Sequence, residues 1–279
     1  MPESPSTPSP PSAEPPVVHE DRGAARWIFL NRPRARNAQN AAMLTALDRL
    51  LVDTAADPDV RVVVLAGAGP SFSAGHDIRE IVANPDYRAN NETVEGRLWQ
   101  EADLFVRPME RLRDLRVPTI CRVQGHCIAA SLMLVGACDL VVAADDATFT
   151  SNVTRDMGAA DVELPTLAWA LGERRAKQLL WTREALSAAE AQRLGMVNWV
   201  VPEAELDDKV ADVVEELLAV PREALALSKM SMRFGEDRRG REDSARYHFL
   251  AHQLSHHTTD AVALLTQRIG ELEARLRDA

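Results

Sequence analysis

Short apolar runs alternate with helical patterns along the middle of this chain, and this alternation limits its possible folds more than any other feature. Val62–Leu65 is a run of four apolar, mostly β-branched residues, as expected for a strand buried on both faces. Four more segments have strand character: Arg26–Leu30, Thr119–Val123, Leu140–Ala143 and Val197–Val201. Strands separated by helices, followed by a helical C-terminal third, predict an α/β domain with an appended α-helical region.

The chain divides into three predicted parts. Residues 1–16 are almost entirely Pro, Ser, Glu, Thr and Ala, and such a segment buries too little apolar surface to offset its chain entropy, so we predict a disordered tail. Residues 17–202 contain the alternating strands and helices, with the polar stretch Asn84–Asn91 as a surface loop. Residues 203–279 are predicted to be helical throughout.

Charge and cysteine content argue against several classes of function. The formal net charge of −10 disfavours nucleic acid or an anionic membrane as the main partner, although local basic groups and helix N-termini can still bind an anionic coenzyme. Cys121, Cys127 and Cys138 lie in apolar segments, which predicts reduced, buried thiols. No apolar run approaches the ~20 residues of a membrane span. We therefore expect a soluble, cytoplasmic protein.

The segment Gly67–Ile78 follows a buried strand and contains several glycines, so a dinucleotide-binding loop has to be considered. That fingerprint needs a third glycine where this chain has Phe72. Pro70 would also disturb a helix that had already started. The dinucleotide hypothesis therefore fails.

A second segment, Gly125–Met133, has the pattern of a strand-to-helix turn built from small residues. Small side chains let a ligand approach the backbone, and the first N–H groups of a helix lack internal partners and attract negative charge. An oxyanion site is one interpretation. The alternative is that small residues only allow close helix packing, and this turn alone does not decide between them.

Together these two segments resemble the crotonase, or enoyl-CoA hydratase/isomerase, superfamily, and the resemblance extends in order from Val17 to Leu206. The matching segments are Leu30–Pro33 with Asn37-Ala38, Phe72–Ile78, Pro118, Gly125–Ser131, Cys138–Leu140, Ala143–Phe149, Leu186–Ala188 and Gly195–Asn198. Each segment is weak alone, but their order and spacing are highly specific.

The resemblance implies a spiral of ββα turns over residues 17–202 and a C-terminal helical region that mediates trimerisation. A homotrimer or homohexamer is therefore expected. The implied substrate is an acyl-CoA thioester, so coenzyme A would arrive as part of the substrate, and no tightly bound cofactor or metal is expected.

The resemblance also implies an oxyanion hole made of two backbone N–H groups, which by motif match belong to His76 and Ala130. Fixed dipoles in a dry site stabilise developing charge without reorganising, and one such donor is typically worth ~3 kcal/mol. Hydratases usually have glycines where this chain has Ala129 and Ala130. A backbone donor does not need glycine, provided that Ala130 adopts its φ without strain.

Coenzyme contacts are implied at two places. In this family the backbone around the positions of Ala74, Asp77 and Ile78 grips the adenine. Arg34 and Arg36 lie in the loop that usually runs beside the pantetheine and phosphates, where guanidinium groups suit phosphate pairing. Solvated surface charge is the equally weighted alternative for these two arginines.

Two departures from the family pattern put the reaction in doubt. Hydratases carry one glutamate three positions beyond the helix donor, where this chain has Met133. They carry a second one in the next loop, where Val153 or Thr154 stands, depending on a one-residue gap. None of these side chains exchanges a proton at neutral pH, so hydration by a two-glutamate route is not expected.

Other carboxylates lie nearby in sequence. Some family members, among them the aryl-CoA dehalogenases, place a working aspartate shortly after the glycine of this loop, which makes Asp161 the best match and Glu163 the second. A carboxylate in an apolar pocket suits general acid/base work; a loop carboxylate that faces solvent or caps a helix is the alternative. Isomerisation, decarboxylation or thioester hydrolysis then fits better than hydration, and a catalytically degenerate acyl-CoA-binding or scaffold subunit is the competing hypothesis.

The histidines His248, His252, His256 and His257 invite a metal hypothesis, because a spacing of four residues aligns side chains on one helix face. No carboxylate or cysteine accompanies them in sequence. We therefore predict a polar surface or a subunit contact rather than a metal site.

Overall fold

The strand around Val62 is buried at every position from Val62 to Gly67 and lies inside a six-stranded sheet. The computed structural model describes residues 14–277, so most of the predicted tail, residues 1–13, lies outside the described residues. Within that range nine strands form two sheets. They are β1 (Val17–Arg22), β2 (Ala25–Leu30), β3 (Val62–Gly67), β4 (Thr119–Val123), β5 (His126–Ile128), β6 (Leu140–Ala144), β7 (Thr148–Thr150), β8 (Leu186–Ser187) and β9 (Trp199–Val201).

The larger sheet has the order β1-β2-β3-β4-β6-β9; β1 is antiparallel to β2, and all other neighbours are parallel. The smaller sheet has the order β5-β7-β8. Isolated bridges join Gln39 to His76 and Ser73 to Cys127, so earlier turns of the chain continue this second layer. Successive turns thus add one long strand and one short strand or bridge, which confirms the predicted crotonase-like ββα spiral.

Helices account for most of the remaining chain. They are α1 (Ala41–Ala56), α2 (Glu80–Ala83), α3 (Pro85–Asn91), α4 (Val94–Glu101), α5 (Arg107–Asp114), α6 (Ser131–Ala137), α7 (Val153–Met157), α8 (Thr166–Leu171), α9 (Glu173–Trp181), α10 (Ala188–Arg193), α11 (Leu206–Leu218), α12 (Arg222–Arg238), α13 (Arg241–Ser255) and α14 (Thr259–Arg277). A π-helical turn, Ala102–Val106, joins α4 to α5. Short 3₁₀ turns lie at Pro33–Ala35 and Glu203–Glu205.

The surface loop predicted at Asn84–Asn91 is wrong, because α3 occupies it. The Asn84 side chain accepts a hydrogen bond from the Tyr87 amide at 3.1 Å and so caps the helix. Pro85 stands at the first helical position, where its missing N–H costs nothing. The capping interactions at the helix N-terminus therefore favour a helix in this segment despite its polar composition.

The core lies on both faces of the larger sheet. One face packs against the smaller sheet and helices α1, α5 and α6. The other face is covered by α11, whose Leu206, Val210 and Val213 are buried. No helix within residues 14–277 combines the length and apolar character that crossing a membrane requires.

The C-terminal helices fold back onto this core. Lys229 of α12 is buried and its Nζ lies 2.6 Å from Asp139 Oδ2, at the start of β6. Ser255, the last residue of α13, accepts a hydrogen bond from the Ala160 amide at 2.9 Å. These contacts carry α13 over the loop that follows α7, and the candidate site lies beneath it.

Candidate active site

Two backbone N–H groups without acceptors meet where the Gly75 turn touches the start of α6. The Gln39 amide donates to Gly75 O at 2.8 Å, and the Asp77 amide donates to Gln39 O at 3.0 Å. His76, between them, therefore directs its own N–H away from this bridge. Among the hydrogen bonds of residues 14–277, neither the His76 nor the Ala130 amide has an acceptor.

Gly75 allows this approach. Its φ is +79°, and a Cβ placed on it would lie 2.6 Å from Ile128 O and 3.1 Å from Ala130 N. Ala130 has an ordinary helical φ of −59°, so its amide is presented without strain. The left-handed conformation falls instead on Ala129, with φ +51°. Two N–H groups on adjoining turns, both without an acceptor among the described residues, can donate to one oxyanion, as the resemblance implied.

A cavity of about 640 Å³ opens beside this turn. Its walls include seven of the predicted site residues: Arg34, Arg36, Ala74, His76, Asp77, Ile78 and Glu163. Ala130 does not line it, although the neighbouring Ile128 and Ala129 do. Asp161 does not line it either. The fold thus brings most of the predicted residues together around one space and places Asp161 behind its wall.

The two groups of predicted coenzyme contacts differ in character. The Asp77 carboxylate is bound by Arg32 and Arg79, each at 2.9 Å, so it is occupied within the protein. Burial alone would raise the pKa of Asp77, but these two guanidinium groups hold it below its usual range. Arg34 and Arg36 are exposed at the cavity rim and form no ion pair within the described residues. They are open to an anionic ligand.

Glu163 presents a carboxylate to the cavity and is paired with His76. His76 Nε2 lies 3.0 and 3.1 Å from the two carboxylate oxygens, and the imidazole stacks on Phe105 with centroids 3.8 Å apart. Because an ionised carboxylate only accepts, His76 Nε2–H is the donor. Burial alone would raise the pKa of Glu163, but the imidazoles of His76 and His252 hold it well below its usual range. Glu163 is therefore ionised at neutral pH.

Asp161 lies behind this wall in an uncommon backbone conformation, with φ +131°. Its carboxylate accepts a hydrogen bond from the Ser151 hydroxyl at 3.0 Å, and its carbonyl oxygen accepts one from His252 Nδ1 at 2.8 Å. Burial raises the pKa of the Asp161 carboxyl to about 6, although the Val162 amide and the Ser151 hydroxyl partly oppose this. Asp161 is thus half-protonated near pH 6 and mostly ionised at pH 7.

A second layer of buried charge continues from Glu163. His252 Nε2 lies 3.7 Å from Glu163 and 3.2 Å from Glu101, and Arg97 Nη1 donates to the other Glu101 oxygen at 3.3 Å. Burial opposes a charge on His252, but Glu101 and Glu163 raise its pKa above the ordinary value. Two carboxylates are thereby balanced by one guanidinium and one imidazolium, as buried charges require.

The histidine cluster departs from prediction. His252 is buried rather than on a polar surface, and His256 Nε2 lies 3.1 Å from His252 Nε2. The structure also brings a carboxylate beside these histidines that is distant from them in sequence. Donor atoms of Glu101, His252 and His256 lie within 4.8 Å of one another. That spacing suits a metal ion. However, Arg97 and Gln253 already donate to Glu101, so the arrangement functions as a hydrogen-bonded ion network without one.

Met133 and Val153, at the positions where hydratases have glutamates, line different cavities. Val153 lines the first cavity, whereas Met133 lines a second cavity of about 630 Å³ beneath α4, α5 and α13. Neither side chain can carry a proton. Glu163 is thus the buried carboxylate on the wall of the first cavity that directly adjoins His76.

Three residues that line the first cavity were not predicted as site residues from the sequence: Tyr87, Arg97 and Glu101. They come from α3 and α4, in a region outside the matched motifs. Their polar side chains resemble those of any exposed helix, and only tertiary packing shows that Arg97 and Glu101 are buried.

The chain is similar to known proteins in both sequence and structure. A family model described as enoyl-CoA hydratase/isomerase matches residues 21–266. The Mycobacterium tuberculosis protein EchA13, by its name a candidate enoyl-CoA hydratase, is 39% identical over 249 residues, covering 85% of this chain and 78% of that protein. A crystal structure of a probable enoyl-CoA hydratase from Mycobacterium smegmatis has a TM-score of 0.80 and 37% identity, covering 86% and 94% of the two chains. A monofunctional enoyl-CoA isomerase from M. smegmatis has a TM-score of 0.66 and 28% identity, covering 80% and 94%.

Proposed function

We propose that this chain, which belongs to the enoyl-CoA hydratase/isomerase family, is an acyl-CoA isomerase that moves a double bond through an oxyanion-stabilised enolate. The observation that carries this proposal is the combination of two unpartnered amides, of His76 and Ala130, beside a cavity that both His76 and the ionised carboxylate of Glu163 line. Coenzyme A would arrive as part of the substrate, with its phosphates near Arg34 and Arg36.

The proposed reaction needs one proton carrier. With the thioester oxygen between the two amides, Glu163 takes a proton from C2 of a 3-enoyl thioester; the C–H electron pair forms the C1–C2 double bond, and the carbonyl π pair moves onto the oxygen to give an enolate. Glu163 then returns the proton to C4, where the C3–C4 π pair forms the new C–H bond. The C1–C2 pair moves to C2–C3, and an oxygen pair re-forms the thioester carbonyl. Atoms and charge balance without water or a cofactor.

The environment of Glu163 keeps its carboxylate in the proton-accepting form at neutral pH, because the imidazoles of His76 and His252 lower its pKa. The same low pKa makes Glu163 a weak base, so the two oxyanion-hole amides must supply most of the stabilisation of the enolate. Hydration needs a group that activates water and another that protonates carbon, and Met133 and Val153 provide neither. The similarity to a monofunctional enoyl-CoA isomerase supports this choice of reaction.

Replacing Glu163 tests the proposal. Glu163→Gln keeps a hydrogen-bonding partner for His76 but cannot take up a proton, so we expect kcat for 3-enoyl-CoA isomerisation to fall at least about 100-fold with KM little changed. Steady-state kinetics checks this, and thermal denaturation checks that the variant is folded.

Asp156→Asn is the matched control, because Asp156 also lines this cavity but is exposed and paired with Arg155 at 2.7 Å. We expect its kcat to stay within about threefold of wild type. Full activity in Glu163→Gln would contradict the role given to Glu163. If Asp161→Asn alone were inactive, the proton carrier would be Asp161. Binding of acyl-CoA without turnover in the wild type would favour a degenerate binding subunit.

A further inference from the structure

The wall of the first cavity carries polar atoms that the proposed reaction does not use. Tyr87 of α3 lines this cavity, and its hydroxyl forms no hydrogen bond within residues 14–277. The hydroxyl oxygen is not sealed from the cavity either, since it is absent from the fully buried, unpaired polar atoms. A partly buried phenol that lacks a protein partner needs one from solvent or from a ligand.

His256 of α13 faces the same space. Its Nε2 is engaged by His252 at 3.1 Å, while its Nδ1 has no partner within the described residues and is likewise not sealed off. Burial, together with the positive charge of His252 and Arg97, lowers the pKa of His256 to about 3. His256 is therefore neutral at pH 7; because the protonated His252 donates to its Nε2, its Nδ1 carries the proton and can donate one hydrogen bond.

Tyr87 and His256 lie near the same charges. Tyr87 and His256 line the same cavity as Arg97 and Glu163. Apolar residues, among them Phe105, complete the wall. A mostly apolar pocket with a few converging polar groups is the usual form of a site that fixes the orientation of a partly polar ligand.

We propose that the acyl chain of the substrate lies against Tyr87 and His256, and that these two side chains bind a neutral oxygen substituent on it, a hydroxyl or oxo group, as the specificity-determining contacts. This inference rests on the proposed acyl-CoA function. A carboxylate substituent is disfavoured because Glu101 and Glu163 already balance Arg97 and His252 in the wall of this cavity. An alkyl chain would leave the Tyr87 hydroxyl without a partner whenever it displaced water.

The test uses unreactive saturated thioesters with wild-type protein. Calorimetric titration compares hexanoyl-CoA with its C4-, C5- and C6-hydroxy derivatives. We expect at least one hydroxylated thioester to bind about tenfold more tightly than hexanoyl-CoA, the preference that one or two neutral hydrogen bonds provide. Tyr87→Phe should reduce this preference to about twofold, both by weakening the hydroxylated ligand and by tightening hexanoyl-CoA binding, because no unpartnered hydroxyl remains.

Tyr247→Phe is the control, since Tyr247 is the other of the two tyrosines and is 77% exposed. It should keep the full preference. Equal or tighter binding of hexanoyl-CoA by the wild type, or an unchanged preference in Tyr87→Phe, would overturn this inference and leave the acyl-CoA function standing. If none of the thioesters bound, the proposed function itself would be wrong, and this inference with it.

Discussion

At the scale of single residues, the site depends on where the backbone tolerates an unusual conformation. Gly75 and Ala129 both adopt positive φ, and together they bring two amides to one point. The backbone donors His76 and Ala130 could be identified from sequence, because the residues around each of them match a family motif. The pairing of His76 with Glu163 could not, because 87 residues separate them and only packing joins them.

Gly75→Ala tests the backbone site. The added methyl would collide with Ile128 O and crowd Ala130 N, so we expect the oxyanion site to be displaced and kcat to fall about 100-fold or more. Gly195→Ala is the control, since Gly195 has φ +87° but open space around its Cβ position. Both variants should lose about 1 kcal/mol of stability to backbone strain, and Gly75→Ala should lose more because of its collision. Equal activity of the two would contradict this account of Gly75.

Asp161 gives a prediction about pH. Its pKa is about 6 in the folded protein against an ordinary 3.8, so the folded state binds the proton more tightly than the unfolded state. The free energy of unfolding should therefore fall as pH rises from about 4 to 6, by about 2–3 kcal/mol for this group.

Asp161→Asn should remove that decline, since Asn keeps an acceptor for the Ser151 hydroxyl and tolerates positive φ. Urea denaturation of both proteins at pH 4 and pH 7 measures the difference. The variant should gain stability relative to wild type between these two pH values. A difference that does not change with pH would show that Asp161 titrates normally.

At the scale of elements, the site is assembled where α4 and its π-helical continuation meet α13. The π turn directly follows Glu101 and includes Phe105, which packs on His76. Such turns often occur at functional sites. This meeting could not be predicted from sequence, because Glu101 and His252 are 151 residues apart and neither lies in the motifs that carry the family resemblance.

Glu101→Ala should destabilise the protein by about 3–5 kcal/mol and lower Tm by roughly 10 °C, because it leaves Arg97 and His252 buried without their counter-charge. Asp103→Ala is a control from the adjoining turn, since Asp103 forms an exposed i,i+4 pair with Arg107. Its effect should stay below about 1 kcal/mol. Thermal denaturation that found equal effects would contradict the structural role given to the buried network.

At the scale of the whole molecule, the spiral was predictable because β-branched runs mark buried parallel strands and the ordered motifs mark the turns between them. The predicted homotrimer or homohexamer stays a prediction. Helices α12 and α13 expose large apolar side chains, including Met230, Phe234, Leu250 and Leu254, at 61–72%. Exposed apolar groups on adjoining helices are the surface on which a second copy of the chain would pack.

The most direct test of the account is the identity of the product. Wild-type protein is incubated with a 3-enoyl-CoA, both unsubstituted and hydroxylated on the acyl chain, and the products are analysed by mass spectrometry and by the absorbance of the conjugated thioester. We expect the product to be a 2-enoyl-CoA with the same mass as the substrate. A product heavier by one water and lacking conjugation would contradict it, because hydration would then proceed without glutamates at positions 133 and 153.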